Sequence, residues 1–176
     1  LTLSYLESVV FFLGKSFFNW QLERAGLDLK GGFETALLRS IRVHKLVNRD
    51  SETVGVGALL QDPRSKLQAS ETGELFVLKE NGELFGTITL ADLSDAAFDH
   101  EVDNLINAGD VARVHPPILD LFDDLETANK VIRDSGEHYI AVVENHETMK
   151  FIGTLHETEV MSAYNKALVA ARHEEH

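Results

Sequence analysis

The stretch Gly86-Thr-Ile-Thr-Leu-Ala-Asp-Leu93 returns 67 residues later as Gly153-Thr-Leu-His-Glu-Thr-Glu-Val160. In both copies β-branched and apolar residues read as the end of a strand, and the residues after them as the start of a helix. No other feature constrains the fold as much, because the elements around each copy repeat as well. In the first half, Thr53-Val54, with Val56 as an extension, reads as a strand. Asp62 reads as an N-cap with Pro63 at the first helical position of a helix through about Ala69. Residues 75–78 read as a buried strand, Asn81-Gly82 as a hairpin turn, residues 84–88 as the returning strand and residues 91–98 as a helix. In the second half, residues 110–114 lead to a break at Pro116-Pro117 and an extended Ile118-Leu119. Residues 124–134 form an amphipathic helix with Leu125, Ala128, Val131 and Ile132 on one face, stopped by Gly136. Residues 139–143 are a buried strand, 144–149 a hairpin loop and 151–155 the return, and a helix runs from near Glu157 to the terminus.

Each half is therefore β-α-β-β-α and about 60 residues long. One such unit cannot bury both faces of so small a sheet, so two are expected to pack together. The fold class expected is α/β (α+β), two units packed as a pseudo-twofold pair with an N-terminal helical segment. The expected divisions are an N-terminal apolar helix and linker over 1–43, units over 44–105 and 106–166, and a C-terminal helical tail over 167–176. Gly26 and Gly31-Gly32 punctuate the linker, and Phe33, Ala36, Leu37 and Ile41 mark a short amphipathic helix between residues 33 and 43.

A length of 176 residues with 44% hydrophobic content suits one compact domain or two very small ones. Cysteine is absent, which removes disulfides, thiolate nucleophiles and Cys-ligated metals. The net charge of -13 argues against a nucleic-acid partner, since phosphate neutralisation needs clustered Lys and Arg. Charge is unevenly placed: residues 1–49 hold seven basic residues against four acids, and the other 127 hold nine against 25. Residues 1–26 are dense in aromatics (Phe11, Phe12, Phe17, Phe18, Trp20), yet the uncharged apolar run from Ser8 to Gly14 is far short of the roughly 20 residues of a spanning helix. Nor does this segment carry the basic start and small-residue cleavage site of a signal peptide. It fits a hydrophobic helix over the core or a dimer face, and equally the end of a membrane region.

Thr89 and Asp92 stand three apart at the first strand–helix junction. Locally they predict a capping box, with Thr89 accepting from the backbone N–H of position 92 and the acid reaching back. The same geometry offers an anion free N–H groups and a hydroxyl, and offers a ribose a carboxylate. Both can hold at once, because a cap can face a cleft.

Paired β-α-β-β-α units with G-h-x-T/S-x-x-D/N at the final junction resemble tandem CBS domains, a Bateman module, over about residues 42–166; residues 86–92 match that motif at every defined position. The resemblance implies an adenosine-containing ligand (AMP, ADP, ATP or adenosine) in a cleft between the units, and no required cofactor. Asp92 would hold the ribose, Thr89 would lie near the phosphates, and Val114, His115 and Ile118 would line the adenine pocket. In the second copy His156 replaces Thr and Glu159 replaces Asp, so that cleft is expected to be degenerate: weak or empty, with His156 a partly buried structural residue unable to cap as Thr does. The acidic surroundings favour AMP or adenosine over ATP, with Lys45, Arg49, Arg113 and His115 as the nearby donors.

The front of the chain, Gly14-Lys-Ser-Phe-Phe-Asn-Trp-Gln-Leu22, then Ala25-Gly-Leu-Asp-Leu29 and Leu37-Leu-Arg-Ser-Ile-Arg-Val43, resembles the last membrane segment and linker of ClC-type chloride channels and transporters. Phe18 stands where that family has a pore-lining tyrosine. This resemblance implies a non-catalytic regulatory module on the cytoplasmic face of the membrane, a homodimer attached to a transport domain. The alternatives are a free-standing adenosine-nucleotide sensor and a ligand-free dimerisation scaffold. His173-Glu-Glu-His176 lacks the H-E-x-x-H spacing of a zinc site, and no phosphate-cradling or nucleophile motif occurs, so neither a metal site nor catalysis is expected.

Overall fold

The computed structural model describes residues 29–93 and 104–174. The aromatic segment before Leu29, most of the expected helix over 91–98 and the last two residues of the His173–His176 tail lie outside them; residues 90–93 form a turn. The element order is α1 (Leu29–Ser40), a 3₁₀ turn (Val43–Lys45), β1 (Thr53–Gly55), α2 (Gln61–Ala69), β2 (Glu74–Leu78), β3 (Leu84–Thr89), α3 (Ala108–Val111), β4 (Arg113–Val114), β5 (Ile118–Asp120), α4 (Leu125–Ser135), β6 (Tyr139–Val143), β7 (Phe151–His156) and α5 (Glu157–Glu174).

Two small sheets result, ordered β1-β2-β3-β4 and β5-β6-β7. In each, the first pair is parallel and the next antiparallel. Both hairpins carry a register shift at the same place, between Val77 and Leu78 and between Val142 and Val143. The duplication read from the sequence is thus a duplication of structure, down to the irregularity. One face of the first sheet buries Val54, Leu60, Leu67, Leu75, Val77 and Ile88. One face of the second buries Leu119, Leu125, Ile132, Ile140, Val142 and Leu155. The remaining faces meet through Phe76, Leu84, Ala141 and Val143, with the Phe76 and Phe151 rings stacked at 5.1 Å. Each unit thereby covers the sheet face that the other could not leave bare to water.

The segment before each unit belongs to the other. Val43, fully buried, lies in the second unit's core with Leu46 and Val47 packed against it, and Asn48 pairs with Thr154 on β7. Residues 49–52 then carry the chain across to β1 in the first sheet. Reciprocally, Ala108 is buried in the first unit's core, β4 pairs with β3, and residues 115–117 carry the chain across to β5. The repeated glycine of the two junctions follows from this crossing. A Cβ on Gly86 would stand 2.5 Å from the Arg113 carbonyl oxygen, and one on Gly153 would stand 2.1 Å from that of Asn48. Only glycine lets the crossing strands pair there.

Three local expectations are corrected. The first described helix, Leu29–Ser40, includes Gly31 and Gly32, where the sequence predicts a linker. Packing of α1 against α4 and α5, with Leu38 and Ile41 on the second core, outweighs a glycine cost of about 1 kcal/mol each. Next, α2 begins at Gln61 with Leu60 in the cap position and no side-chain cap, so Asp62 is inside the helix. Pro63 sits at the third helical position, where its missing N–H is still one that the helix could not pair. In the first hairpin, Gly82 alone has positive φ (+82°), and the Gly82 N–H donates to the Lys79 carbonyl. That is a type I turn closed by a glycine bulge, with Asn81 outside the left-handed region. The second helix of the pair follows its reading closely: Asp124 accepts from the Thr127 N–H at 2.9 Å, and Gly136 ends it at φ +71°.

Candidate functional site

The junction of β3 with the turn after it presents Thr89 and Asp92 as read from the sequence, but with different bonds. The Thr89 N–H and hydroxyl both donate to Asp92 Oδ2, at 2.7 and 2.8 Å, and the Asp92 N–H donates to the Thr89 carbonyl. The acid reaches back as in a capping box, whereas the hydroxyl donates to the carboxylate instead of accepting from the backbone. A bond to an ionised acceptor is about twice as strong as a neutral one, which explains the choice.

The same Oδ2 lies 3.2 Å from Arg113 Nε. Arg113 is on β4, at the edge of the first sheet, and its other two guanidinium nitrogens face two further carboxylates. Nη1 bonds Glu137 of the second unit at 3.0 Å, and Nη2 stands 3.7 Å from Glu74 on β2. Burial pulls the Arg113 guanidinium down, but Glu137, Asp92 and Glu74 outweigh it, and the net shift is upward. Glu74 is buried, with a side chain only 10% exposed. Desolvation first and then the nearby Glu137 raise its carboxyl to about 7, against the opposing pull of Arg113 and a Thr87 hydrogen bond.

Arg113, Glu74 and Glu137 line a cleft of about 200 Å³ between the two units, together with Thr87, the crossing residues 114–117 and the β6 residues Tyr139 and Ala141. Val114, His115 and Pro116 also line an adjoining cleft of about 340 Å³. The smaller space alone falls below the roughly 300–1,000 Å³ of most ligand sites; the two together reach it. His115, which lines both, adopts φ +56° where the chain turns from one sheet to the other.

Of the residues expected from sequence, Val114 and His115 therefore line the clefts. Asp92 and Thr89 stand one side chain away, joined to the cleft through Arg113. Ile118 packs with the sheet–sheet cluster of Phe76, Ala141 and Val143 and does not line either space. Lys45 lines a separate groove with Glu159 and Lys166. Glu74, Thr87, Glu137 and Tyr139 were missed; the one available signal was an acid heading the apolar run Leu75–Leu78.

In the second copy His156 does cap its helix, contrary to expectation. Its Nδ1 accepts from the Thr158 N–H at 3.2 Å and meets the Thr158 hydroxyl at 2.6 Å, and Glu159 accepts from the His156 N–H at 3.1 Å. An imidazole with Nδ1 unprotonated has the in-plane lone pair that a cap requires. The ring leans on Tyr139 at 4.3 Å. At this copy the edge of the sheet is closed by Asn48 and Thr154, which exchange both backbone bonds at 2.8 Å, and by the Ser51 and Thr154 hydroxyls 2.9 Å apart.

Among the described residues, no three or more His, Asp or Glu side chains are placed to hold a metal ion. No described helix is long and apolar enough to cross a membrane.

Residues 108–166 match the family model of the CBS domain. No curated protein matches the sequence. Among solved structures, a CBS domain pair/ACT domain protein from Thermotoga maritima is 21% identical, with 73% of this chain and 99% of that one covered and a TM-score of 0.61. A complex of CBSX2 with AMP is 22% identical over 72% of this chain and 97% of that one, with a TM-score of 0.59. The CBS domain of a bacterial CNNM/CorC family Mg2+ transporter in complex with ATP is 16% identical over 75% and 92%, with a TM-score of 0.62. Duplicated sheets, reciprocal crossing strands and the matched residues 108–166 agree: the chain has the fold of a CBS domain pair.

Proposed function

We propose that this chain is a non-catalytic regulatory module that binds an adenosine-containing ligand in the cleft between its two units. The observation that carries the proposal is Arg113, which links the junction acid Asp92 of one unit to Glu137 of the other across a cleft walled by Val114, Pro116 and Tyr139. The apolar wall suits a purine face, and Arg113 with the acids it holds forms the polar side of the cleft, facing the sugar. The AMP and ATP complexes of similarly folded proteins support the ligand class. Asp92 and Thr89 act through Arg113, fixing its direction. A ligand that occupies the cleft rearranges the Asp92–Arg113–Glu137 link between units, and can bias an attached or neighbouring protein by no more than its differential affinity for the two states.

The likeness to CBSX2 and to the CBS domain pair/ACT domain protein supports a pair acting without a transport domain. Calorimetry with AMP, ADP, ATP and adenosine tests the site. Arg113→Ala is expected to weaken the tightest of them by about tenfold, which corresponds to about 1.4 kcal/mol, with the fold intact by circular dichroism. Unchanged binding in that variant would remove the cleft as the site, and no binding of any of the four would leave the scaffold reading.

The CNNM/CorC similarity and the aromatic segment before Leu29 favour a second reading, in which the module, as a homodimer, lies on the cytoplasmic face beside a membrane transport domain. Fractionation of the natural gene product decides: recovery with the membrane supports attachment, and recovery in the soluble fraction refutes it.

A further inference from the structure

We infer that the cleft selects against phosphate, taking adenosine in preference to AMP, ADP or ATP, with Glu74 and Glu137 as the selecting residues. This rests on the reading of the cleft as an adenosine site. Among the described residues that line the two adjoining clefts, Lys79 and Arg113 are the permanently charged cations, and both are engaged: Lys79 bonds Glu83 at 2.7 Å, and Arg113 faces three carboxylates. The three guanidinium nitrogens of Arg113 face Asp92 at 3.2 Å, Glu137 at 3.0 Å and Glu74 at 3.7 Å. A phosphate can reach that guanidinium only by displacing a carboxylate, and the displaced acid then faces the phosphate across the same small space. Like charges at such distances repel strongly where water is scarce. A ribose has no charge to repel, and its hydroxyls can donate to Glu137 and Glu74, where a phosphate dianion cannot.

The groups facing Glu74 set a pH dependence on the same preference. They are Arg113 on β4, Asp92 after β3, Thr87 on β3, Glu137 ahead of β6, and His115 and Tyr139 across the cleft. Burial and the neighbouring acids hold the Glu74 carboxyl up to about 7. Below that pH Glu74 is neutral and one repulsive charge is gone, so the penalty on phosphate shrinks.

The experiment is calorimetry on the whole chain with adenosine, AMP, ADP and ATP at pH 6 and pH 8, repeated for Glu137→Gln and Glu74→Gln. Expected at pH 8 is adenosine binding at least about tenfold tighter than AMP, with ADP and ATP weaker still. The ratio of AMP to adenosine affinity should rise severalfold at pH 6 and in each variant. Glu137 is partly exposed, so Glu137→Gln should leave folding intact even if Glu74→Gln alters the core. AMP or ATP binding tighter than adenosine in the natural chain at pH 8, or an unchanged ratio in Glu137→Gln, overturns the inference while the site stands. Absence of binding by all four overturns both.

Discussion

Glu74 heads a strand whose next three residues, Leu75, Phe76 and Val77, are all buried, and it goes inside with them. A carboxyl with an ordinary value of 4.5 held at about 7 in the fold binds its proton more tightly when native than when unfolded. Native protein then carries more protons between those two values, so stability falls as pH rises through that window and levels off above it. The loss is on the order of 3 kcal/mol. Urea unfolding between pH 4 and pH 8 should show Glu74→Gln lacking this slope and gaining stability relative to the natural chain at pH 8. An identical pH profile in the two proteins would show that Glu74 is not protonated in the native state. The partners that make Glu74 unusual come from β4 and from the segment before β6, so nothing near it in sequence marked it beyond its place at the start of an apolar run.

At the level of strands, Gly86 and Gly153 answer to one requirement: the backbone of a crossing segment lies against them. Gly86→Ala and Gly153→Ala each push a methyl into a carbonyl that cannot swing aside. Each should cost about 1–3 kcal/mol, read as a lower urea midpoint with little change in slope. Midpoints within experimental error of the natural chain would mean that the crossing strands do not pair there. The glycines were legible as a repeat, and so were most strands, because buried β-branched runs such as Tyr139–Val143 carry their own signature. The reason for the glycines was not legible. Gly86 meets a segment 27 residues downstream, Gly153 one 105 residues upstream, and local pattern holds no register between segments so far apart. The helical state of Gly31 and Gly32 was not legible for the same kind of reason: the two glycines say break, and only the packing of α1 against α4 and α5 says helix.

For the whole molecule, the second unit is not self-sufficient, although residues 108–166 match a domain model. Its core includes Val43, and β7 pairs with Asn48. A chain begun at residue 106 should lose cooperative thermal unfolding and bind a hydrophobic dye, whereas residues 29–176 should melt in one transition. A sharp, reversible melt of the shorter chain would count against the lending of backbone between the units. That lending also bears on how such a protein can change over generations. Neither half can be traded for a copy from a relative unless the borrowed piece brings an edge that fits its host's glycine notch, so the two halves are inherited as a matched set.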